Sequence, residues 1–217
     1  MKINSSESLN ERLYFLRKEI EKQCSDEINK LTEESIEELI AYDVESKALK
    51  VGDMIPTVSL SNAVGKKVLL SPENSSAPTI ILFYRGGWCP YCNIELNYYQ
   101  ENLSYIKSKG CEFVAISPEL PDNSLNLKEK ENLEFEILSD IKSELGSKFG
   151  IAAPRPSAFI TMIAKLGLNL SDSYGSEGDH LPIPSRFLVD ASGKILYRSF
   201  NPNYRERVDL DEVLGLL

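Results

Sequence analysis

The chain has 217 residues, of which 42% are hydrophobic and 26% charged, and its formal net charge is −9. This composition is typical of a folded globular protein, and the length suits one large domain with a small extension. The acidic balance disfavours nucleic acid and anionic membranes as partners, because both attract positive protein surfaces. A single histidine excludes a histidine-rich metal site, and we expect no bound metal.

The cytoplasm is the expected compartment. The longest apolar run, residues 80–84, is far shorter than the roughly 18 residues of a membrane span. The opening residues, MKINSSESLNERLYF, are polar where a signal peptide would be apolar. Structural disulfides are rare in a reducing cytoplasm, so the four cysteines are expected to be core residues, metal ligands or redox catalysts.

Residues 1–50 are predicted to form a helical extension. Apolar residues recur at steps of three and four over residues 9–31, which predicts one amphipathic helix, and Ser8 with Glu11 fits a capping box. A second, shorter helix is predicted from Ser35. Because an apolar stripe must be covered, we expect this extension to pack against the main domain or against a second copy of the chain in a homodimer.

Residues 51–217 are predicted to form one α/β domain, with a central mixed sheet flanked by helices. The sheet is expected to be mostly parallel at its centre, with an antiparallel hairpin at one edge. Strands are predicted at 57–60, 79–84, 112–117, 135–138, 187–190 and 194–200, and helices at 90–109, 141–149 and 209–217.

The stretch from residue 153 to 184 is interpreted as a loop over one end of the sheet. It contains four prolines and a polar run at 171–179, and both features interrupt regular structure.

The chemistry is concentrated in the sequence Arg-Gly-Gly-Trp-Cys-Pro-Tyr-Cys at residues 85–92. A predicted buried strand leads into two glycines and then into a helix that carries Cys89 and Cys92 in its first turn. Free backbone N–H groups and the helix dipole stabilise a thiolate there, with a pKa of about 3.5–7.5 instead of about 8.5. Pro90 fits an early helical position, where its missing N–H costs nothing. This pattern favours a redox pair over half of a zinc site or two inert core cysteines.

Three segments in order resemble the alkyl hydroperoxide reductase/thiol-specific antioxidant family, the peroxiredoxins, within the thioredoxin-fold superfamily. They are Val51-Gly52-Asp53-Met54-Ile55-Pro56, the run Phe83 to Cys92, and Pro184-Ser185-Arg186-Phe187-Leu188-Val189-Asp190 followed by Gly193. The resemblance spans residues 51–217 and implies a thioredoxin-like (peroxiredoxin-like) fold. It also implies a thiol-dependent peroxidase that needs no cofactor.

The resemblance leaves the attacking cysteine open between two registers. Aligned with thioredoxins, Trp88-Cys89-x-x-Cys92 makes Cys89 the nucleophile and Cys92 the resolving thiol. Aligned with the peroxiredoxin motif, Cys92 is the peroxidatic cysteine and Glu95 matches a glutamate found in many members. In that register Arg85 and Cys89 replace the family's proline and threonine, so Cys89 would resolve a sulfenic acid on Cys92.

The resemblance also assigns roles around the pair. Arg186 is the candidate for the arginine that orients the peroxide, and Arg85 is the alternative. Trp88 and Tyr91 are expected beside the thiols, and Pro184 takes the place of the cis-proline opposite a thioredoxin disulfide. Cys24 and Cys111 are predicted to be core residues outside the chemistry.

The predicted function is reduction of hydrogen peroxide or organic hydroperoxides through a Cys89–Cys92 disulfide. A thiol reductant such as thioredoxin or the glutathione system would restore the dithiol. Two alternatives use the same cysteines: a thioredoxin-like protein disulfide reductase, and a redox-sensing protein whose N-terminal helices bind a partner.

Overall fold

The computed structural model describes residues 7–71, 77–175 and 179–216. Two parts of predicted elements, Leu217 and residues 176–178, lie outside them. The strands are β1 (Val58–Asn62), β2 (Lys67–Leu70), β3 (Thr79–Phe83), β4 (Glu112–Ser117), β5 (Glu136–Ser139), β6 (Ala152–Pro154), β7 (His180–Pro182), β8 (Ser185–Val189) and β9 (Ile195–Phe200). The helices are α1 (Leu9–Gln23), α2 (Asp26–Ala41), α3 (Val44–Lys47), α4 (Pro90–Glu101), α5 (Leu103–Ser108), α6 (Pro121–Lys130), α7 (Glu144–Lys148), α8 (Ser157–Lys165), α9 (Leu170–Tyr174) and α10 (Leu210–Leu214).

A seven-stranded mixed sheet, in the order β2-β1-β5-β4-β3-β8-β9, organises the chain. The interior strand β3 pairs parallel with β4 and antiparallel with β8. Successive side chains of a strand face opposite sides, so Ile80 and Leu82 join one apolar core while Ile81 and Phe83 join the other. The predicted mixed sheet with flanking helices is therefore confirmed, as is the hairpin of β8 and β9.

The N-terminal helices begin and end elsewhere than predicted. The predicted capping box of Ser8 and Glu11 is present. The predicted single helix over 9–31, however, is divided at Cys24, because Ser25 caps a new helix by accepting a hydrogen bond from the Ile28 N–H. A helix start at Ser35 is wrong, since this residue lies inside α2.

The extension packs on the chain's own domain. Helix α1 lies against α4, and α2 lies against α8. Leu9, Leu13 and Ile36 are buried in the same apolar core as the face of β3 that carries Ile80. Of the two expected coverings of the apolar stripe, the structure shows the intramolecular one.

Two predicted helices are divided. The helix predicted at 90–109 is interrupted at Asn102, whose side chain donates to the Tyr98 carbonyl, giving α4 and α5. The helix predicted at 141–149 begins as a short 3-10 turn, and α7 follows only after Lys142 and Ser143 adopt left-handed backbone angles.

The loop predicted at 153–184 is the largest error, because much of this stretch is regular. It contains α8, α9 and β7, and β7 pairs with β6 in a small second sheet. Phe159 and Met162 on α8 form a third apolar cluster with Leu170 and Tyr174, and Trp88 packs against it. Prolines 154 and 156 precede α8 and thus mark the start of a helix rather than a loop.

In the parts of the chain that the structure describes, no helix has both the length and the hydropathy needed to cross a membrane.

Candidate active site

The turn between β3 and α4 places both cysteines at the start of a helix. Gly86 has a φ of +142°, and a Cβ there would lie 2.6 Å from Trp88 Nε1, so this position requires glycine. The Gly87 N–H donates to Glu119 Oε2 at 2.9 Å, and the Asn93 amide donates to the Gly87 carbonyl at 2.8 Å. Cys89 is consequently fixed as the N-cap of α4.

Both thiols of the pair are buried, and both are free. Cys89 is 2% exposed and Cys92 is 0% exposed. Burial opposes ionisation of Cys89, but the Cys92 thiol donates to its sulfur, and Arg85, the Cys92 N–H and Arg207 also favour the anion, which lowers its pKa to about 6. Burial and the neighbouring Cys89 raise the pKa of Cys92 well above its usual range. These two directions favour a thiolate on Cys89 over one on Cys92.

Arg85 is a buried cation enclosed by aromatic rings. Its guanidinium carbon lies 4.1 Å from the ring centre of Tyr204, 4.7 Å from that of Phe159 and 4.8 Å from that of Trp88. Ring faces attract cations, and this attraction partly replaces the water that the guanidinium loses. Its charge is thereby kept within electrostatic reach of Cys89.

A chain of hydrogen bonds ties this cation to the rest of the site. Trp88 Nε1 donates to the Tyr174 hydroxyl at 2.6 Å, and that hydroxyl donates to the Arg85 carbonyl at 2.7 Å. Tyr174 is buried and lies on α9, so an element predicted to be loop holds the backbone that presents Arg85 and Trp88.

Glu95 is a fully buried carboxylate shared by two arginines. Arg186 Nε donates to Glu95 Oε1 at 2.8 Å, and Arg207 Nε donates to Oε2 at 2.5 Å. Burial works against its ionisation, but the two guanidinium groups prevail and lower the pKa of Glu95. Arg186 lies on the interior strand β8 with its charge directed to Glu95, and its predicted contact with peroxide stays a prediction.

Glu119 is a second buried acid, and it follows β4. Burial raises the pKa of its carboxyl to about 7, although the Gly87 N–H bond acts in the opposite direction. The negative charge of Cys89 also raises this pKa, so Glu119 and Cys89 influence each other's ionisation.

An apolar groove of about 110 Å³ leads to Cys89. One wall is formed by the N-terminal helices, and the other by α8 and the residues after it. Thr32 donates a hydrogen bond to the Met162 sulfur across the groove at 3.2 Å. Cys24, predicted to be core, is half-buried and lines this groove, whereas Cys111 does not line it. The lining includes Ile20, Ile28, Trp88, Phe159, Met162 and Ile163.

The remaining predicted neighbours divide into two groups. Tyr91 is buried on α4 and its ring meets that of Tyr204 edge-on, 6.0 Å between centres, whereas Pro90 is exposed as the first residue of α4. Pro184 lies beside Arg186 in a separate cavity. The bond before Pro184 is trans, so the cis form suggested by the resemblance is wrong here.

Sequence reasoning missed five residues of the site. These five residues come from four separate parts of the chain and belong to no local motif. The only available signal is the apolar and aromatic pattern at 153–184, which could have indicated Phe159 and Tyr174. The five residues are Glu119, Phe159, Tyr174, Tyr204 and Arg207. Among the described residues, no cluster of three or more histidine, cysteine or acidic side chains is arranged to hold a metal ion.

Comparison with known proteins places this geometry in context. The model of the AhpC/TSA family matches residues 51–198. Peroxiredoxin Bcp of Escherichia coli strain K12 is 29% identical over 147 residues, which cover 68% of this chain and 83% of that protein. A protein of Buchnera aphidicola that is also named as a peroxiredoxin bcp is 33% identical over 103 residues, which cover 48% of this chain and 65% of that protein.

The fold is similar to that of solved peroxiredoxin structures. Peroxidoxin BcpB of Mycobacterium tuberculosis superposes with a TM-score of 0.58 at 18% identity, covering 77% of this chain and 96% of that one.

Proposed function

Because the chain belongs to the AhpC/TSA family, as its sequence resemblance predicted, we propose that it reduces peroxides with the Cys89–Cys92 pair. It is a thiol-dependent peroxidase of the peroxiredoxin type with a thioredoxin-like fold. The observation that carries the proposal is the arrangement at the start of α4, where two buried free thiols lie three residues apart near the buried guanidinium of Arg85, whose charge favours a thiolate on Cys89.

Cys89 is the attacking residue in this proposal, and Cys92 is the resolving one. The charge environment favours the thioredoxin register, because Arg85 and Arg207 favour a thiolate on Cys89 while Cys92 keeps its proton. The peroxiredoxin register would require the thiolate on Cys92, which is fully buried and lies beside the more acidic thiol. Arg85 therefore takes the role of the cation that stabilises the negative charge developing on the leaving oxygen of the peroxide. Arg186 is paired with Glu95 and is assigned no direct contact with the peroxide.

The reaction balances with these two cysteines. The Cys89 thiolate attacks the outer oxygen of a hydroperoxide, so that an S–O bond forms, the O–O bond breaks, and the leaving alkoxide takes a proton from water. Cys92 then attacks the sulfenic acid, forming the disulfide and releasing one water molecule. An external dithiol returns two electrons and two protons and so regenerates both thiols. Thioredoxin or a glutathione-linked donor would serve.

The groove favours organic hydroperoxides over hydrogen peroxide. Its lining is mostly apolar and includes Ile28 and Met162 together with Cys89 itself. An alkyl or aryl group gains free energy when these walls remove it from water, whereas hydrogen peroxide has no apolar surface to bury. We expect kcat/KM for cumene hydroperoxide to exceed that for hydrogen peroxide, and Met162→Glu to reduce this ratio. The matched control is Ile160→Glu on the exposed face of α8, which should leave the ratio unchanged.

A trapping experiment tests the assignment of the two thiols. After one equivalent of cumene hydroperoxide, Cys92→Ser should form a dimedone adduct on Cys89, and Cys89→Ser should form none. An adduct confined to Cys92 in the Cys89→Ser variant would instead support the peroxiredoxin register.

A coupled assay tests the activity itself. The purified chain with thioredoxin, thioredoxin reductase and NADPH should consume NADPH only after peroxide is added. Absence of turnover with thioredoxin and with glutathione-linked donors alike would contradict the peroxidase function.

One observation supports the alternative of a protein disulfide reductase: the low-pKa thiol is the first cysteine of the pair, as in a thioredoxin. Its burial opposes this alternative, because a protein disulfide must bring its own sulfur to a residue that is 2% exposed. Precipitation of insulin in dithiothreitol, faster than in the Cys89→Ser control, would favour the reductase.

A further inference from the structure

A short segment after β9, residues 201–208, packs against the active site and contacts Arg85 and Glu95. It carries three buried side chains: Tyr204 and Arg205, each 5% exposed, and Arg207, 8% exposed. This segment lies beyond the matched family region of 51–198, and so does the N-terminal extension. The family model therefore assigns no role to either part of the chain.

Two of these side chains reach the redox site directly. The Tyr204 ring forms one wall of the aromatic enclosure around Arg85 at 4.1 Å. Arg207 donates to Glu95, and its cation favours the thiolate on Cys89. The segment is also internally braced, because Arg207 Nη1 donates to the Tyr204 carbonyl at 2.6 Å. A displacement of the segment would move both groups together.

The N-terminal helices hold the segment through two polar contacts. Glu33 on α2 accepts from both Nη atoms of Arg205, at 2.7 and 2.9 Å. Asn10 Oδ1 on α1 accepts from the Arg207 backbone N–H at 3.4 Å. A paired, two-bond contact between a guanidinium and a carboxylate fixes orientation as well as distance. Since the Arg205 side chain is 4% exposed, loss of its partner would leave a buried cation uncompensated.

We propose that the N-terminal helices are part of the catalytic unit: Glu33 and Asn10 are positioning residues that clamp segment 201–208, and thereby Tyr204 and Arg207, against the redox pair. The clamp rests on the proposed peroxidase function and extends it, because it makes elements outside the family domain necessary for a reactive thiol. It also gives the extension a role that does not depend on a binding partner.

The test is the pH dependence of Cys89 alkylation by iodoacetamide, followed by mass spectrometry of the Cys89 peptide. In Glu33→Gln/Asn10→Ala we expect slower alkylation, since a rise in the Cys89 pKa from about 6 to about 7 would reduce its thiolate at pH 6 about fivefold. The difference should disappear near pH 9, where the thiol ionises in both proteins. The titratable and charged groups that act on Cys89 or are acted on by it are Arg85, Tyr91, Cys92, Glu119, Tyr174 and Arg207.

Hydrogen exchange over residues 201–208 provides a second measurement that does not involve the thiols. Exchange should be faster in the double variant than in the wild type. The single variant Glu33→Asp retains the carboxylate, so its exchange and alkylation rates should lie between those of the wild type and the double variant. The matched control is Glu34→Gln on the same helix, which removes only the exposed pair with Lys30 at 3.5 Å. Unchanged exchange over 201–208 together with unchanged alkylation would refute the clamp.

The two proposals can fail separately. If wild-type Cys89 reacts with the pKa of an ordinary thiol, the proposed nucleophile is wrong, and the exchange of residues 201–208 alone decides on the clamp. If wild-type Cys89 is reactive at pH 6 and the double variant equals it in both measurements, the clamp is wrong and the peroxidase proposal stands.

Discussion

At the scale of single residues, Arg85 is the feature on which the chemistry depends most. Its positive charge favours the proposed Cys89 thiolate more than that of Arg207 does, and three aromatic rings enclose its guanidinium group. The sequence predicted it only as an alternative to Arg186, because two of the three enclosing rings come from α8 and from the segment after β9, which a motif at residues 85–92 cannot reveal.

We predict that Arg85→Met raises the Cys89 pKa from about 6 toward that of an ordinary thiol. The thiolate is the reactive form, so alkylation should fall at least tenfold at pH 6 and approach the wild-type rate above pH 9. Peroxide reduction should remain below the wild-type rate even above pH 9, because the cation that stabilises the developing charge is also lost. Arg85→Lys, which keeps the charge but not the planar group, should lose less. An alkylation rate that falls equally at every pH would show that Arg85 acts on the fold instead.

Glu119 yields a prediction about stability. Burial raises its pKa from 4.5 to about 7, so the folded chain holds a proton there that the unfolded chain has already lost. Stability from this group is present below pH 4.5 and is lost as pH rises through 7. Between pH 5 and 8 the wild type should therefore lose about 2–3 kcal/mol of unfolding free energy relative to Glu119→Gln.

Urea unfolding at the two pH values measures this difference. Glu112→Gln serves as the control, because Glu112 is exposed on β4 and its amide should not alter the dependence. Wild type and Glu119→Gln with the same pH dependence would contradict the prediction.

At the scale of secondary-structure elements, the sequence predicted best where one local signal dominates. The β-branched run of β3 and the glycine turn before α4 could be placed because burial and turn chemistry act within a few residues. The division between α1 and α2 could not, because the apolar spacing continues through it. There, the serine side chain at the cap outweighs the helical periodicity.

The cap offers a direct comparison of two serines. Ser25→Ala should destabilise the chain by about 1 kcal/mol, since Ser25 accepts from the Ile28 N–H at the start of α2. Ser35→Ala should cost less than about 0.5 kcal/mol, because the hydroxyl of Ser35 only donates to the Thr32 carbonyl within the helix. Chemical denaturation measures the free energy of unfolding of both variants. A larger decrease in Ser35→Ala than in Ser25→Ala would contradict the assignment of Ser25 as the N-cap of α2.

At the scale of the whole molecule, the site is assembled from contacts that no local pattern encodes. The hydroxyl that fixes the Arg85 carbonyl comes from a residue 89 positions away, and the carboxylate that holds Arg205 from one 172 positions away. A resemblance over 51–217 could locate the cysteines but could not show that helices α1 and α2 form one wall of the groove. The predicted boundary at residue 50 remains a prediction.

We expect the extension and the domain to unfold as one cooperative unit. Leu13 is 1% exposed in the core that also contains β3, so Leu13→Ala should cost about 2–5 kcal/mol in a single transition. Phe15→Ala, two positions along the same helix and 45% exposed, should cost less than about 1 kcal/mol. A separate early transition, with the core transition unshifted, would make residues 1–50 an independent unit.

The buried Arg85 cation also makes the stability of the fold depend on the oxidation state of the cysteine pair. In the dithiol form the Arg85 charge faces a thiolate, but closing the disulfide removes that negative charge and leaves the guanidinium with only ring faces for compensation. The same protein should therefore melt at a lower temperature when oxidised than when reduced. By thermodynamic linkage, whatever favours the reduced fold makes the disulfide a stronger electron acceptor, so this enclosure drives the return half of the catalytic cycle.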